Sequence, residues 1–129
     1  MNKIVLVTAT LLGLLAVVLG AFAAHGLEKI VSAESVASFK TGVTYQMYHA
    51  FLLLFVGITD KISAKTKKIS YLLVVLGVVF FSGSIYGLAT NSLSGFDFKT
   101  IALITPVGGL LLITAWAVLL INFLKLKQD

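Results

Sequence analysis

The chain is predicted to be an all-α membrane protein, four transmembrane helices in a compact bundle with a short amphipathic interfacial helix between the first and second. Three observations predict it. Lys, Arg, Asp and Glu make up 12% of the 129 residues, about half the roughly 25% of a soluble domain. Four stretches, residues 4–27, 41–59, 69–96 and 100–124, contain none of these residue types. Each is close to or above the roughly 20 apolar residues that cross a hydrocarbon core of about 30 Å. The lysines, finally, gather between these stretches rather than within them. Together they predict a single integral membrane domain over residues 1–129, with spans at about 4–24, 41–59, 69–90 and 101–123.

The first span carries small residues at Ala9, Gly13, Ala16, Gly20 and Ala24. Steps of three and four place them on one helical face, a seam on which a second backbone packs closely in lipid. Met1-Asn-Lys3 followed by an apolar run and Ala21-Phe-Ala23 imitates a secretory signal. The run to Ala24 exceeds the usual apolar length of about 7–15 residues, so the segment is expected to remain as a span. Residues 27–40 mix Leu27, Ile30, Val31, Val36 and Phe39 with charged and hydroxyl residues, the pattern of a helix lying at the interface, with Ser32 or Ser35 as a cap.

The second span is the least apolar. On a helix Thr41, Tyr45, Tyr48, His49 and Leu52 share one side and Gln46 flanks it. Such a stripe is expected to face the bundle interior, since hydrocarbon offers its polar groups no partner; for Tyr45 and Tyr48 an interfacial aromatic belt is the competing reading. The third span contains Phe81-Ser-Gly-Ser-Ile-Tyr-Gly87, in which Gly83 and Gly87 form a small-xxx-small pair. The fourth carries Thr105-Pro-Val-Gly-Gly109, and Pro106 within a helix predicts a kink whose freed carbonyl Thr105 or a neighbouring helix satisfies. Gly108 and Gly109 are further packing positions. Trp116 lies deeper, with Lys125 and Lys127 as anchors at the end of the span.

The charge pattern orients the chain. Lys3, Lys61, Lys65, Lys67, Lys68, Lys125 and Lys127 fall on one side of a four-span protein, against Asp60 and Asp129. Lys29, Lys40 and Lys99 fall on the other, against Glu28, Glu34 and Asp97. The positive-inside rule makes both termini cytoplasmic. The net charge of +5 is thereby explained as attraction to anionic lipid headgroups, about 1 kcal/mol per lysine near the surface, and no nucleic-acid partner is implied. The absence of cysteine excludes disulfides, thiol catalysis and thiolate metal sites.

Chemistry centres on the two histidines, His25 and His49, because an ionisable group in a span is costly to keep. His25 lies 21 residues beyond Ile4, about 32 Å along a helix, and His49 lies 11 residues before Asp60, about 16 Å. A level difference of roughly 15 Å argues against a shared haem, and no Cys or Glu/His cluster supports a metal instead. His25 is assigned to the outer interface. His49 is an intramembrane residue with two open readings, a neutral imidazole clasping another helix or a protonatable group working with Tyr45, Tyr48, Gln46, Ser82, Ser84 and Tyr86.

GAFAAHGL, YQMYHA, FSGSIYGL and TPVGGLLLITAW, one motif per span, resemble in this order the YgdD/YwdK-like family of small integral membrane proteins. Matching positions are Gly20, His25 and Gly26; Tyr45 and His49; Ser82, Gly83, Ser84 and Tyr86; and Thr105, Pro106, Gly108 and Gly109. Ala23 stands where the family pattern often has glycine. The resemblance implies a multi-pass bacterial inner-membrane protein with no established activity, so it supplies no catalytic residue. The residues themselves favour a non-enzymatic structural or accessory component acting through packing, as a homo-oligomer or within a membrane complex. The alternative is a small-molecule or proton-handling protein centred on His49. No nucleophile–base pair is legible for an enzyme.

Overall fold

A computed structural model describes residues 2–95 and 97–127, with the backbone alone at 100 and 101. Four helices are long and apolar enough to cross a membrane. They are α1 (Asn2–His25), α2 (Ala33–Ile58), α3 (Ala64–Ala89) and α4 (Ile104–Leu124). They pack as two pairs of sequence neighbours, α1 along α2 and α4 along α3, and α2 meets α3 in the middle.

Two boundaries differ from the sequence expectation. Residues 27–40 do not form a separate interfacial helix. Leu27–Lys29 make one 3₁₀ turn, and from Ala33 the chain is already in α2. Ser32 caps that start, its hydroxyl accepting from the Ser35 amide at 3.2 Å, and Glu34 sits in the first turn, where its charge complements the helix dipole. No helix breaker follows, so the polar turns and the apolar ones propagate as one rod. Its 26 residues span about 39 Å against a hydrocarbon core of about 30 Å, and the excess is the polar end.

The predicted kink at Pro106 is also absent. α4 begins at Ile104, which places the proline in the first turn, where a backbone N–H has no intrahelical acceptor to lose. The preceding residues form a 3₁₀ turn, Phe98–Ile101, tied back when Asn91 accepts the Phe98 amide at 2.7 Å.

α3 is helical throughout but changes type. Ala64–Val78 is α, Val79–Gly83 is a π turn, and Ser84–Ala89 is α again. The π turn lies beside the closest approach of α4. A Cβ on Gly108 would overlap the Phe81 amide nitrogen and come within 2.7 Å of the Phe80 carbonyl carbon. Only glycine allows this contact.

The interior falls into two apolar clusters. Val5, Ala9, Leu53, Val56, Ile62, Val74, Leu112, Ala115 and Leu119 belong to one, toward the chain termini. Ala23, Leu27, Val36, Phe39 and Ala89 make the other. On α1 the buried seam is Val5, Ala9, Ala16 and Ala23, so Ala23 rather than Ala24 completes the small-residue face. The N-terminus, the loop after α2 with the start of α3, and the end of α4, which carry seven of the ten lysines, meet at one end of the bundle. Lys67 Nζ donates to Asn2 Oδ1 at 3.2 Å, and Asn122 donates to the Lys61 carbonyl at 3.0 Å while accepting from the Ser63 amide at 3.4 Å.

Candidate functional site

Between the two apolar clusters α2 presents Gly42, Gln46 and His49, α3 presents Ser82, Ser84 and Tyr86, and α1 passes with Leu12. The buried face of α2 steps through Val36, Phe39, Gly42, Gln46, His49, Leu53 and Val56, at intervals of three and four. Tyr45 and Tyr48 each precede a buried residue by one position, 100° around the helix, and are exposed at 40% and 56%. Thr41 is likewise exposed. The expected single polar stripe is therefore split, with Gln46 and His49 inside and Thr41, Tyr45 and Tyr48 on the lipid-facing side. Tyr45 packs edge-to-face with Tyr48, ring centroids 5.6 Å apart, and lies 5.1 Å from the Phe81 ring.

Gln46 is 4% exposed and joins three helices. Its Nε2 donates to the Leu12 carbonyl of α1 at 2.8 Å, and its Oε1 accepts the Tyr86 hydroxyl of α3 at 2.6 Å. One helical turn away the Ser82 hydroxyl donates to the Gly42 carbonyl at 2.7 Å. A Cβ at Gly42 would meet Tyr86 Cε1 at 2.8 Å, so the glycine makes room for the tyrosine that reaches Gln46. Ser84 donates to the Phe81 carbonyl at 3.0 Å and pairs with the Thr105 hydroxyl of α4. Thr105 thus serves a neighbouring helix rather than a kink in its own.

His49, 3% exposed, has both ring nitrogens engaged. Nδ1 lies 2.7 Å from the Tyr45 carbonyl, and Trp116 Nε1 donates to Nε2 at 3.1 Å. An indole N–H only donates. Nε2 must therefore carry the lone pair, Nδ1 carries the proton, and the ring is neutral. Counting from the helix ends, His49 lies nine residues before Ile58 and Trp116 eight before Leu124, about 12–14 Å from the same end at 1.5 Å per residue. α2 and α4 run parallel, their C-terminal ends together, and their register brings the two residues level. His25 is far from this layer, exposed as the last residue of α1.

Of the expected packing glycines, Gly87 and Gly108 make close approaches, to the Phe98 ring and the π turn. Gly13, Gly20 and Gly109 lie in ordinary van der Waals surroundings, and Gly83 faces open space. The pairing of Trp116 with His49, the Leu12 carbonyl, Gly42 and Gly77 escaped the sequence reading. At Gly77 a Cβ would meet Leu112 Cδ2 at 2.6 Å. The only sequence signal for Trp116 was its unusual depth, away from an interfacial belt.

Beside the His49–Trp116 contact, a cavity of about 300 Å³ opens sideways between α2 and α4, lined by Tyr45, His49, Phe81, Gly109, Leu112, Ile113 and Trp116. A second of about 400 Å³ adjoins it across Trp116, lined by Leu52, Phe55, Leu119, Leu120 and Phe123.

Residues 19–109 match the family described as protein of unknown function, DUF423. The chain is 39% identical over 125 residues to a UPF0382 membrane protein of Staphylococcus saprophyticus, covering 96% of this chain and 99% of the relative. It is 37% identical over 129 residues to the UPF0382 inner membrane protein YgdD of Escherichia coli, covering 98% and 94%. A UPF0382 membrane protein of Haemophilus influenzae is 36% identical over 127 residues, covering 98% of each chain. No solved structure matches the chain significantly.

Proposed function

We propose a role for this chain from one premise: it belongs to the DUF423 family of membrane proteins, which the UPF0382 relatives share. The role is that of a non-enzymatic structural or accessory component, one integral membrane domain of a bacterial inner membrane with both termini cytoplasmic. It works through its packed surface, as a homo-oligomer or within a larger membrane complex, and its lysine-rich end holds anionic headgroups.

One observation carries this reading. Among the described residues no buried side-chain nitrogen or oxygen lacks a hydrogen-bond partner. Gln46, Ser82, Ser84 and His49 spend their hydrogen-bonding capacity on other helices or on the backbone, as interhelical clasps do. A proton relay requires a group free to gain and lose a proton. At His49 protonation would remove the lone pair that receives Trp116 and leave an indole N–H facing an imidazolium.

Proteoliposomes carrying an internal pH dye distinguish the two readings. With an imposed pH gradient, vesicles holding wild-type protein are expected to lose the gradient no faster than vesicles without it. Dissipation by the wild type that His49→Phe abolishes, in a variant still folded by circular dichroism, would establish the proton-handling alternative and overturn the scaffold reading.

A further inference from the structure

The two adjoining cavities form one groove between α2 and α4, and Trp116 stands at their junction. We propose that this groove seats an acyl chain of an anionic phospholipid drawn from the leaflet at the lysine-rich end. The inference rests on the reading that the lysine-rich end holds anionic headgroups and not on the scaffold role.

Three features of the groove lead to this occupant. Its walls are hydrocarbon and aromatic rings, and the imidazole that borders it has both nitrogens already engaged, so it recognises an apolar chain rather than a polar solute. Its length follows from α2. Tyr45 borders one end and Phe55 the other, ten residues or about 15 Å of helical rise, which is one leaflet of a hydrocarbon core about 30 Å thick. The third feature is where it ends. Phe55 is one turn from the end of α2 at Ile58, and Phe123 is next to the last residue of α4, with Lys125 and Lys127 directly beyond and Lys61 in the middle of the α2–α3 loop. A lipid whose chain follows the groove therefore places its phosphate beside cations, and an anionic headgroup gains most there.

The groove has a built-in reporter, because Trp116 is the sole tryptophan and borders both cavities. The full chain in detergent micelles is titrated with phosphatidylglycerol or phosphatidylcholine carrying a brominated acyl chain, and the quenching of its fluorescence is followed. Saturable quenching is expected, with a half-point about tenfold lower for phosphatidylglycerol. Replacing Lys125→Gln and Lys127→Gln together, at exposed positions past the end of α4, is expected to bring the two half-points together. Gly109→Leu directs a side chain into the groove, where a Cβ has only ordinary contacts. Displacing two methylenes of the guest raises both half-points about tenfold.

Equal half-points for the two headgroups in the wild type would overturn the proposal. So would quenching that a folded Gly109→Leu leaves unchanged. A dimer by light scattering whose Trp116 no lipid can quench overturns it as well, and gives the groove to a second copy of the chain. If Gly109→Leu fails to fold, the double lysine variant decides alone.

Discussion

A neutral imidazole has one proton to give and one lone pair to receive with, and at His49 both are used: the proton on the Tyr45 carbonyl of its own helix, the lone pair on the Trp116 indole of α4. The first contact fixes the ring's orientation and tautomer, and the second makes that orientation useful to another helix. The pair should then be coupled energetically. His49→Phe and Trp116→Phe are each expected to destabilise the protein, and the double variant to cost less than their sum, by about 0.6–1.7 kcal/mol. Unfolding in mixed micelles measures the cycle, and additivity within about 0.3 kcal/mol would show that the bond contributes nothing. His49 itself was legible in the sequence, since an ionisable residue in a charge-free span stands out. Its partner was not, because the two are 67 residues apart and pair only through the register of two parallel helices, α2 and α4, that no local pattern specifies.

The same contrast holds for whole helices. Long charge-free runs located all four spans, yet which turn of each helix faces which neighbour had to come from the packing. Pro106 shows why. Its chemistry is fixed, but a proline is disruptive in mid-helix and harmless in the first turn, and the start of α4 at Ile104 decides between them. The polar residues 33–40 similarly read as an interfacial piece until the helix is seen to run on from its Ser32 cap. Glycines in α3 and α4 give a direct test at this scale. Gly108 lies against the backbone of the π turn, whereas Gly83, within that turn, faces open space. Gly108→Ala is expected to cost about 2 kcal/mol or more, since backbone on both sides must move to admit a methyl. Gly83→Ala should be neutral or stabilising by up to about 1 kcal/mol. Thermal unfolding of the two variants, side by side, reads the difference; equal effects would mean that α4 does not approach the π turn this closely.

For the molecule as a whole, the distribution of charge and the tertiary contacts can be set against each other. Sequence alone assigned seven lysines to one side by counting spans. The contacts Lys67–Asn2, Asn122–Lys61 and Asn122–Ser63 bring the N-terminus, the α2–α3 loop and the end of α4 together, so the three basic segments share one end of the bundle. The positive-inside rule expects an end of this charge on the cytoplasmic side, where anionic lipid attracts it. Because the chain has no cysteine, single substitutions report the orientation cleanly. Ala64→Cys places a thiol at the exposed start of α3 beside the lysines, and Ser92→Cys places one in the exposed turn at the opposite end. In intact cells of a bacterium whose outer membrane admits the reagent, a maleimide that cannot cross the inner membrane is expected to label Ser92→Cys at once. Ala64→Cys should be labelled only after the inner membrane is permeabilised. The reverse pattern would place the lysine-rich end outside, and labelling of both in intact cells would mean that the chain inserts in two orientations, against a lysine bias of seven to three that should be sufficient to choose one.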